Sequence, residues 1–294
     1  MEAPRTTLSP RELAEAVGVS ESSVKRWAND GAVQVVRTVG GHRRIAVEEA
    51  IRFVRAAGLT VVRPEVLGLP EVARAAGGEE GASAESESLI KALREGDAER
   101  SRGLVLAQYL RGRSPAHIID GPIRLALEEL GAEWHRSPLG IFQEHRASEI
   151  LISALYQLNT LVPEPPAGAP PALGGAIASD PYVIPTLCVA LVLRSCGFRA
   201  TNLGSNTPAQ AIIAASGQLK PRLLWLSISH VEDPVEVYDE TLALLEFADS
   251  VGAALLVGGR EHGSNALPEH PHLYVAGSMS EVAAFVRGYF VANG

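Results

Sequence analysis

The sequence predicts an α/β multidomain protein: an N-terminal winged helix-turn-helix, a four-helix bundle and a C-terminal Rossmann-like parallel sheet. Residues 1–62 combine two capped helix patterns with a glycine turn, and residues 88–162 carry apolar side chains at helical spacing. Strand and helix patterns then alternate through residues 174–294. Residues 63–87, which contain glycine, glutamate and serine, are interpreted as a flexible linker, and the proline-rich residues 163–173 as a second one.

Composition narrows the class of protein. No run of 18 apolar residues is present, and the first residues lack the apolar core of a signal peptide, so we expect a cytoplasmic protein without membrane contact. The net charge is −8, yet residues 1–62 hold nine Lys or Arg against seven Asp or Glu. A basic head on an acidic body is typical of a DNA reader joined to another domain.

The head begins with a helix pattern, because Ser9 can cap a helix whose first position is Pro10. Gly18 can form the turn, and Ser20 can cap a second helix that runs through Asn29. An inward Val24 and Trp27 would direct small hydroxyls and cations of this second helix toward solvent, as in a recognition helix. These outward residues are Ser22, Ser23, Lys25 and Arg26.

Two short strands around Gly40-Gly41, with the basic return strand His42-Arg43-Arg44, predict a wing. The segment from Leu8 to Val54 resembles the DNA-binding domain of the MerR family. This resemblance implies a double-stranded DNA operator as partner. It also implies groove contacts by Lys25 and Arg26, and backbone or minor-groove contacts by Arg37, His42, Arg43 and Arg44. An excisionase-like fold kept for protein contacts is the alternative.

After the proline-rich stretch, five buried strand patterns alternate with four helix patterns, which predicts a parallel sheet with right-handed crossovers. The strands are expected at 176–179, 200–203, 223–228, 254–257 and 273–275, and the helices at 184–195, 208–216, 237–250 and 280–291. Ligands of such sheets bind beyond the carboxyl ends of the strands. Asp180, Ser227 and Gly258 are expected at those ends.

The same residues carry a spaced motif. Asp180-Pro-Tyr-Val-Ile-Pro185 is followed by 41 residues, then Ser227-Ile-Ser229, then 28 residues, then Gly258-Gly259. This spacing resembles the D-x-H-x-x-G, S-x-L, G-G fingerprint of cobalamin-binding domains. Tyr182 replaces the histidine that ligates cobalt in that family, Pro185 replaces glycine, and Ser229 replaces leucine. The resemblance implies that Ser227, Gly258 and Gly259 adjoin the buried nucleotide tail of the vitamin.

A second motif lies in the helical segment, where nine residues separate Trp134 from Glu144-His145. It is similar to the W-x9-E-H motif of the light-sensing, B12-dependent CarH/LitR group of the MerR family. There the motif lies on a helical bundle that caps the cofactor. The resemblance implies that Trp134 packs over the upper ligand and that Glu144 and His145 bind its sugar hydroxyls. His135 would be placed to reach cobalt.

Because Tyr182 is a poorer cobalt ligand than imidazole, three alternatives for the ligand stay open. Cobalamin, as adenosylcobalamin, binds without a lower ligand from the protein, or haem or a bilin takes its place, or the cofactor is lost. His230, His262, His270 and His272 are alternative metal ligands.

The functional hypothesis is a non-enzymatic transcriptional regulator, a repressor. A tetrapyrrole, and through it light, would control self-association to a dimer or tetramer. A cofactor-independent regulator is the first alternative, and a corrinoid methyltransferase module is the second.

Overall fold

The computed structural model describes residues 6–75, 82–134, 137–261 and 267–292. The chain divides into two compact units. Unit 1 comprises residues 1–114 and 121–163, and unit 2 comprises residues 115–120 and 164–294. Among the described residues, no helix is both long enough and apolar enough to cross a membrane.

Unit 1 begins with a head of three helices and three short strands. They are β1 (Thr7–Leu8), α1 (Pro10–Val17), α2 (Glu21–Asn29), β2 (Val36–Arg37), β3 (Arg43–Ala46) and α3 (Val47–Ala56). The strands form an antiparallel sheet in the order β1-β3-β2. Ser9 caps α1 in a capping box with Glu12, and Gly18 ends the helix in the left-handed region at φ 69°. Ser20 caps α2, so both predicted helix starts are confirmed.

Residues 63–87, interpreted from the sequence as a flexible linker, instead contain helical structure. A 3-10 helix covers Pro64–Leu67, α4 covers Pro70–Ala75, and α5 begins at Ala82 and runs to Glu95. Leu67 and Val72 are buried. The contact with α6 (Ala98–Leu110) is close, since a Cβ on Gly103 would lie 2.1 Å from the Glu71 carbonyl oxygen. Isolated Leu and Val side chains between Pro and Gly residues give no periodic signal, which explains the misreading.

The helical bundle continues in α8 (Arg124–Trp134) and the long α9 (Pro138–Leu161). Between α6 and α8 lie the short α7 (Pro115–Ile118) and a wide helical turn at Ile119–Ile123, interrupted at Gly121. Four substantial helices, α5, α6, α8 and α9, therefore occupy the region where four were predicted, whereas α7 clusters with unit 2.

One arginine fastens the head to the bundle. Arg55 of α3 donates hydrogen bonds to the backbone carbonyls of Tyr109 and Arg113, the second at 3.1 Å. Its guanidinium carbon also lies 3.5 Å from the centroid of the buried Tyr109 ring. Burial lowers the pKa of Arg55 from its usual value. The head and the bundle are thus joined by a planar cation that meets a ring and two carbonyls at once.

Unit 2 is the predicted parallel α/β sheet, with strand order β5-β4-β6-β7-β8. The strands are β4 (Pro171–Ala176), β5 (Arg199–Asn202), β6 (Leu223–Ser227), β7 (Ala254–Gly258) and β8 (Leu273–Ala276). The helices are α10 (Val183–Ser195), α11 (Ala209–Leu219), α12 (Pro234–Val251) and α13 (Met279–Ala292). Buried aliphatic side chains of β4, β6 and β7 pack with α11 and α12 to form one core.

The first strand of this sheet lies earlier than the sequence predicts. β4 starts at Pro171, inside the segment interpreted as a proline-rich linker, and ends at Ala176, where the predicted strand began. Proline is acceptable as the first residue of a strand. Ser179, placed in the strand by the prediction, instead adopts a left-handed conformation at φ 63°.

Candidate functional site

The second helix of the head presents polar side chains to solvent on one face. Val24 is fully buried, and the Trp27 ring packs at 5.0 Å from the Phe53 ring of α3. Lys25 and Arg26 are exposed, and the Lys25 ammonium lies 2.7 Å from the Glu21 carboxylate. Because that pair is exposed, it costs little to exchange for another anion.

The hydroxyls at the start of α2 form a small network. The Ser20 side chain accepts from the Ser23 backbone N–H at 3.2 Å, and its hydroxyl lies 2.8 Å from that of Ser22 and 3.0 Å from that of Ser23. Sequence reasoning placed Ser22 and Ser23 as readers of DNA. The structure shows in addition that both support the cap of the helix.

The wing carries two exposed cationic or ionisable side chains, Arg37 and His42, beside a turn whose Gly41 has φ 77°. Arg43 behaves differently, because it donates to the Asn29 side-chain oxygen at 2.6 Å and so ties β3 to the end of α2. The Arg44 guanidinium lies 3.7 Å from the Glu12 carboxylate. The structure thus divides the predicted cations into exposed groups and groups that hold the head together.

At the carboxyl edge of the α/β sheet, Asp180 is fully buried and its carboxylate is occupied by backbone donors. One oxygen accepts from the Tyr182 N–H at 2.9 Å. The other accepts from the Ser229 N–H at 2.6 Å and from the His230 N–H at 3.3 Å. Three donors to one buried carboxylate join the loop after β4 to the loop after β6.

Tyr182 stands at the entrance to α10 with 44% of its surface exposed, and it supplies no side-chain cap to that helix. The Arg260 guanidinium lies 5.7 Å from the centre of its ring, within cation–π range. Arg260 also donates to the Ser229 carbonyl at 3.4 Å. The Tyr182 side chain therefore presents an aromatic face, where the related motif has a nitrogen ligand.

Close backbone packing is enough to require glycine at positions 258 and 259, and no ligand is needed to explain them. A Cβ on Gly258 would lie 2.8 Å from the Ala276 carbonyl oxygen, and a Cβ on Gly259 would lie 2.3 Å from that of Ile228. Gly259 also has φ 116°, which side chains rarely adopt. Ser227 ends β6, is buried, and its carbonyl accepts from the Ile177 N–H at 3.1 Å.

A polar chain in the core of unit 2 was missed by sequence reasoning. The Trp225 indole N–H donates to the Thr186 hydroxyl at 2.9 Å, and that hydroxyl donates to the Asn202 side-chain oxygen at 2.8 Å. Trp225 and Thr186 are fully buried. A buried tryptophan needs a partner for its N–H, but residues 39 positions apart give no local signal of the pairing.

In the bundle, Glu144 and His145 lie side by side on α9. The His145 ring nitrogen is 3.6 Å from the Glu144 carboxylate, and 68% of the His145 side chain is exposed. Glu144 also accepts from the Ser148 hydroxyl at 2.9 Å. The same helix exposes three large apolar residues toward its start: Leu139, Ile141 and Phe142. Exposed apolar side chains beside a carboxylate and an imidazole suit a ligand that is partly apolar and carries hydroxyls.

Three predicted site residues lie wholly or partly outside the described chain. Trp134 is the last residue of α8, and its side chain lies outside the part that the structure describes. His135 and His262 also lie outside the described residues. Of the other histidines, His230 is exposed at the carboxyl edge of the sheet. His270 and His272 precede β8 and so lie at the opposite, amino edge.

These positions fit cobalamin unequally. The α9 surface around Glu144 offers the apolar and polar contacts that such a ligand requires. The Asp180 loop supplies a phenol in place of an imidazole, and its carboxylate already has three partners. The described residues of the D-x-H-x-x-G segment therefore provide no nitrogen ligand for cobalt.

The chain is similar in sequence to known proteins. Residues 85–159 match the family model described as a B12 binding domain. The chain is 29% identical over 268 residues to the HTH-type transcriptional repressor CarA of Myxococcus xanthus, covering 87% of this chain and 88% of that protein.

One solved structure shows the same fold. The monomethylamine corrinoid protein of Methanosarcina barkeri superposes with a TM-score of 0.53 at 16% identity, over 68% of this chain and 96% of that one. The methanol:cobalamin methyltransferase complex MtaBC of the same organism gives a TM-score of 0.36 at 15% identity, over 70% and 80%. Residues 85–159 therefore resemble a B12 binding domain, and most of the chain is similar in sequence to an HTH-type transcriptional repressor.

Proposed function

We propose that the chain is a transcriptional repressor that binds double-stranded DNA through its head and is controlled by cobalamin. The observation that supports this most strongly is that one chain has both features. Its head has a helix and a wing with exposed cations, and its residues 85–159 match the B12 binding domain model. The relationship to a repressor over 87% of the chain supports this assignment.

In this function, Lys25 and Arg26 of α2 contact the major groove of DNA. Arg37 and His42 of the wing contact the DNA backbone or the minor groove. Cations on an exposed helix face and wing neutralise phosphates and release counterions, which supplies sequence-independent affinity. Ser22 and Ser23, near the start of α2, can donate to phosphate or base edges. Arg43 and Arg44 act by holding the wing and α1, in accord with their contacts to Asn29 and Glu12.

For the ligand, Glu144 and His145 would bind hydroxyl groups, with the apolar start of α9 against the less polar part of the molecule. Adenosylcobalamin, when bound, supplies a cobalt–carbon bond that visible light can break. We propose that this makes the regulator light-responsive and that the ligand controls its self-association. Since Arg55 of α3 contacts Tyr109 of α6, and Phe53 of α3 packs on Trp27 of α2, a change in α6 can reach the DNA-binding helix through α3.

Gel filtration in the dark tests the ligand. Full-length protein is incubated with adenosylcobalamin, freed of unbound ligand, and its visible spectrum is recorded. We expect co-elution of cofactor and protein, at least tenfold weaker binding for Glu144→Ala and His145→Ala, and no change for Glu149→Ala, an exposed glutamate of the same helix. A colourless protein peak would contradict cobalamin control.

The light response is tested with the same sample on operator DNA obtained by selection from a random pool. We expect the bound fraction and the elution volume to change after green light, and to stay constant in darkness. An identical bound fraction under both conditions would remove light from the proposal while leaving cobalamin control intact.

A ligand-independent repressor is the second candidate, because Tyr182 replaces the imidazole and Asp180 is satisfied by backbone. Tight DNA binding by apo-protein, unchanged by cobalamin, haem or bilin, would favour it. The corrinoid methyltransferase module is opposed by the DNA-binding head. Methyl transfer from methylcobalamin to a thiol by the purified chain would revive it.

A further inference from the structure

Three side chains with metal-binding atoms meet at the amino edge of the α/β sheet, opposite the edge that carries Asp180. Asp249 lies in the last turn of α12, and His270 and His272 precede β8. The ligand atoms of all three lie within 4.8 Å of one another. We propose that Asp249, His270 and His272 bind a divalent transition-metal ion, with Zn²⁺ as the best fit.

The fold brings these residues together from distant parts of the chain. A helix that connects parallel strands runs back toward the amino edge, so the end of α12 meets the start of the next strands. The backbone of His272 is already fixed there, since the Leu255 N–H of β7 donates to its carbonyl at 2.7 Å. Pro271 restricts the segment between the two histidines. The backbone that carries the two histidines is therefore held before any ion arrives.

The distances suit a metal ion. The Asp249 carboxylate oxygen lies 3.0 Å from Nδ1 of His272 and 3.7 Å from Nε2 of His270. In tetrahedral zinc sites with N and O ligands about 2.0 to 2.1 Å from the ion, neighbouring ligand atoms are about 3.3 Å apart. Imidazole and carboxylate in this combination favour zinc or a similar first-row ion over calcium or magnesium.

His272 supplies an independent indication. Its Nδ1 is buried and has no hydrogen-bond partner among the described residues, although the Asp249 oxygen is only 3.0 Å away. The oxygen thus lies close to the nitrogen but off the direction that a ring N–H would need. A bound metal ion would produce this arrangement. The ion would lie in the ring plane along the lone-pair direction of Nδ1, and the Asp249 oxygen would lie to one side of that direction.

The charge at this position also favours a cation. The carbonyl end of a helix carries partial negative charge, and α12 has no basic residue in its last turn, where Asp249 adds a further negative charge. His270 must adjust to bind the ion. Its Nδ1 accepts from the His272 N–H at 3.2 Å, a bond that is lost when Nε2 coordinates and Nδ1 carries the proton.

Zinc binding to the full-length, untagged chain tests the proposal. The protein is stripped with a chelator, exchanged into metal-free buffer without cobalamin, and titrated with Zn²⁺ against a chromophoric zinc indicator. We expect one ion per chain with a dissociation constant in the micromolar range or below. We also expect a rise of the melting temperature on adding Zn²⁺ and its reversal by chelator.

Three variants locate the ion. Asp249→Asn, His270→Ala and His272→Ala should each weaken zinc binding at least tenfold, whereas Asp239→Asn on the same helix and His230→Ala at the other edge should not. Circular dichroism without zinc checks that each variant is folded, and Asp249→Asn is the variant least able to disturb packing, since over half of that side chain is exposed. Absence of stoichiometric binding, or equal binding by all variants, would overturn the proposal.

Discussion

The cationic surface of the head and the carboxyl edge of the α/β sheet direct their polar groups differently. In the head, Lys25, Arg26, Arg37 and His42 are exposed and available to a partner. At the sheet edge, the Asp180 carboxylate is fully buried and accepts three backbone N–H groups of its own chain. A polar residue in a ligand motif can therefore serve to join two loops, and only its contacts distinguish that role from ligand binding.

The largest effect should come from removing the buried carboxylate. Asp180→Ala leaves three backbone N–H groups without their acceptor, the Ser229 N–H among them buried, and should lower the free energy of unfolding by about 3 kcal/mol. Urea denaturation followed by far-ultraviolet circular dichroism measures it. Asp239→Ala, an exposed aspartate of α12, is the control and should change stability by less than about 0.5 kcal/mol. A loss below about 1 kcal/mol for Asp180→Ala would mean that the edge loops hold without it.

A smaller loss is expected where the head meets the bundle. Arg55→Ala removes two hydrogen bonds and the stacking on Tyr109, and should cost about 2 kcal/mol. Arg55→Lys keeps the charge but not the planar guanidinium, so its free energy of unfolding should lie between those of the wild type and Arg55→Ala. Limited proteolysis should cut the stretch between head and bundle faster in Arg55→Ala. Equal cleavage rates would show that the other contacts of α3 suffice.

Head cations should affect binding and leave stability unchanged. Arg26→Ala should weaken binding to a random-sequence duplex at low salt about tenfold and reduce the salt slope by about one, because one phosphate contact is lost. The free energy of unfolding should change by less than about 0.5 kcal/mol. Fluorescence anisotropy at several salt concentrations measures the slope. Arg43→Ala is the informative contrast, since losing its bond to Asn29 should lower stability as well.

The smallest effect concerns an ion pair inside the head. The Glu49 carboxylate accepts from the Gln34 N–H at 2.8 Å and from Arg52, and the hydrogen bond from Arg52 is the main cause that lowers the pKa of Glu49. A lowered folded-state pKa stabilises above the unfolded-state pKa, and this contribution is lost as pH falls through the folded value. Glu49→Gln should therefore cost about 0.5 kcal/mol at pH 7 and nothing once both states are protonated. Thermal melts at pH 7 and at an acidic pH where both states are protonated check this. A difference in stability that does not change with pH would contradict it.

Local signals explain what the sequence could predict. Ser9, Pro10, Gly18 and Ser20 act within a few residues of themselves, so the helices of the head followed directly. The central strands β6 and β7 of unit 2 were equally readable, because each is a continuous buried apolar run, whereas β4 lies earlier than predicted. The 63–87 stretch was misread because its buried Leu67, Leu69 and Val72 lie in short segments that pack against α1 and α6.

Long-range pairings could not be predicted. The Trp225–Thr186–Asn202 chain, the Arg55 contact and the Asp249, His270 and His272 group each join residues separated by many positions. The motif from Asp180 to Gly259 gave the right edge of the sheet, but it could not show that Asp180 and the glycines have structural roles there. The DNA contacts and the roles of Trp134 and His135 stay predictions.

The brief excursion of residues 115–120 into unit 2 has a consequence for biosynthesis. Asp120 accepts from the N–H groups of Met279 and Ser280 at the start of α13, 159 and 160 positions later in the chain. At about 5 to 20 residues per second, the ribosome needs about 8 to 32 seconds to make the segment between them. During that time the Asp120 carboxylate lacks the α13 N–H groups that it accepts from in the folded protein. A fragment that begins after the proline-rich stretch would never acquire it, so such fragments should start before Pro115.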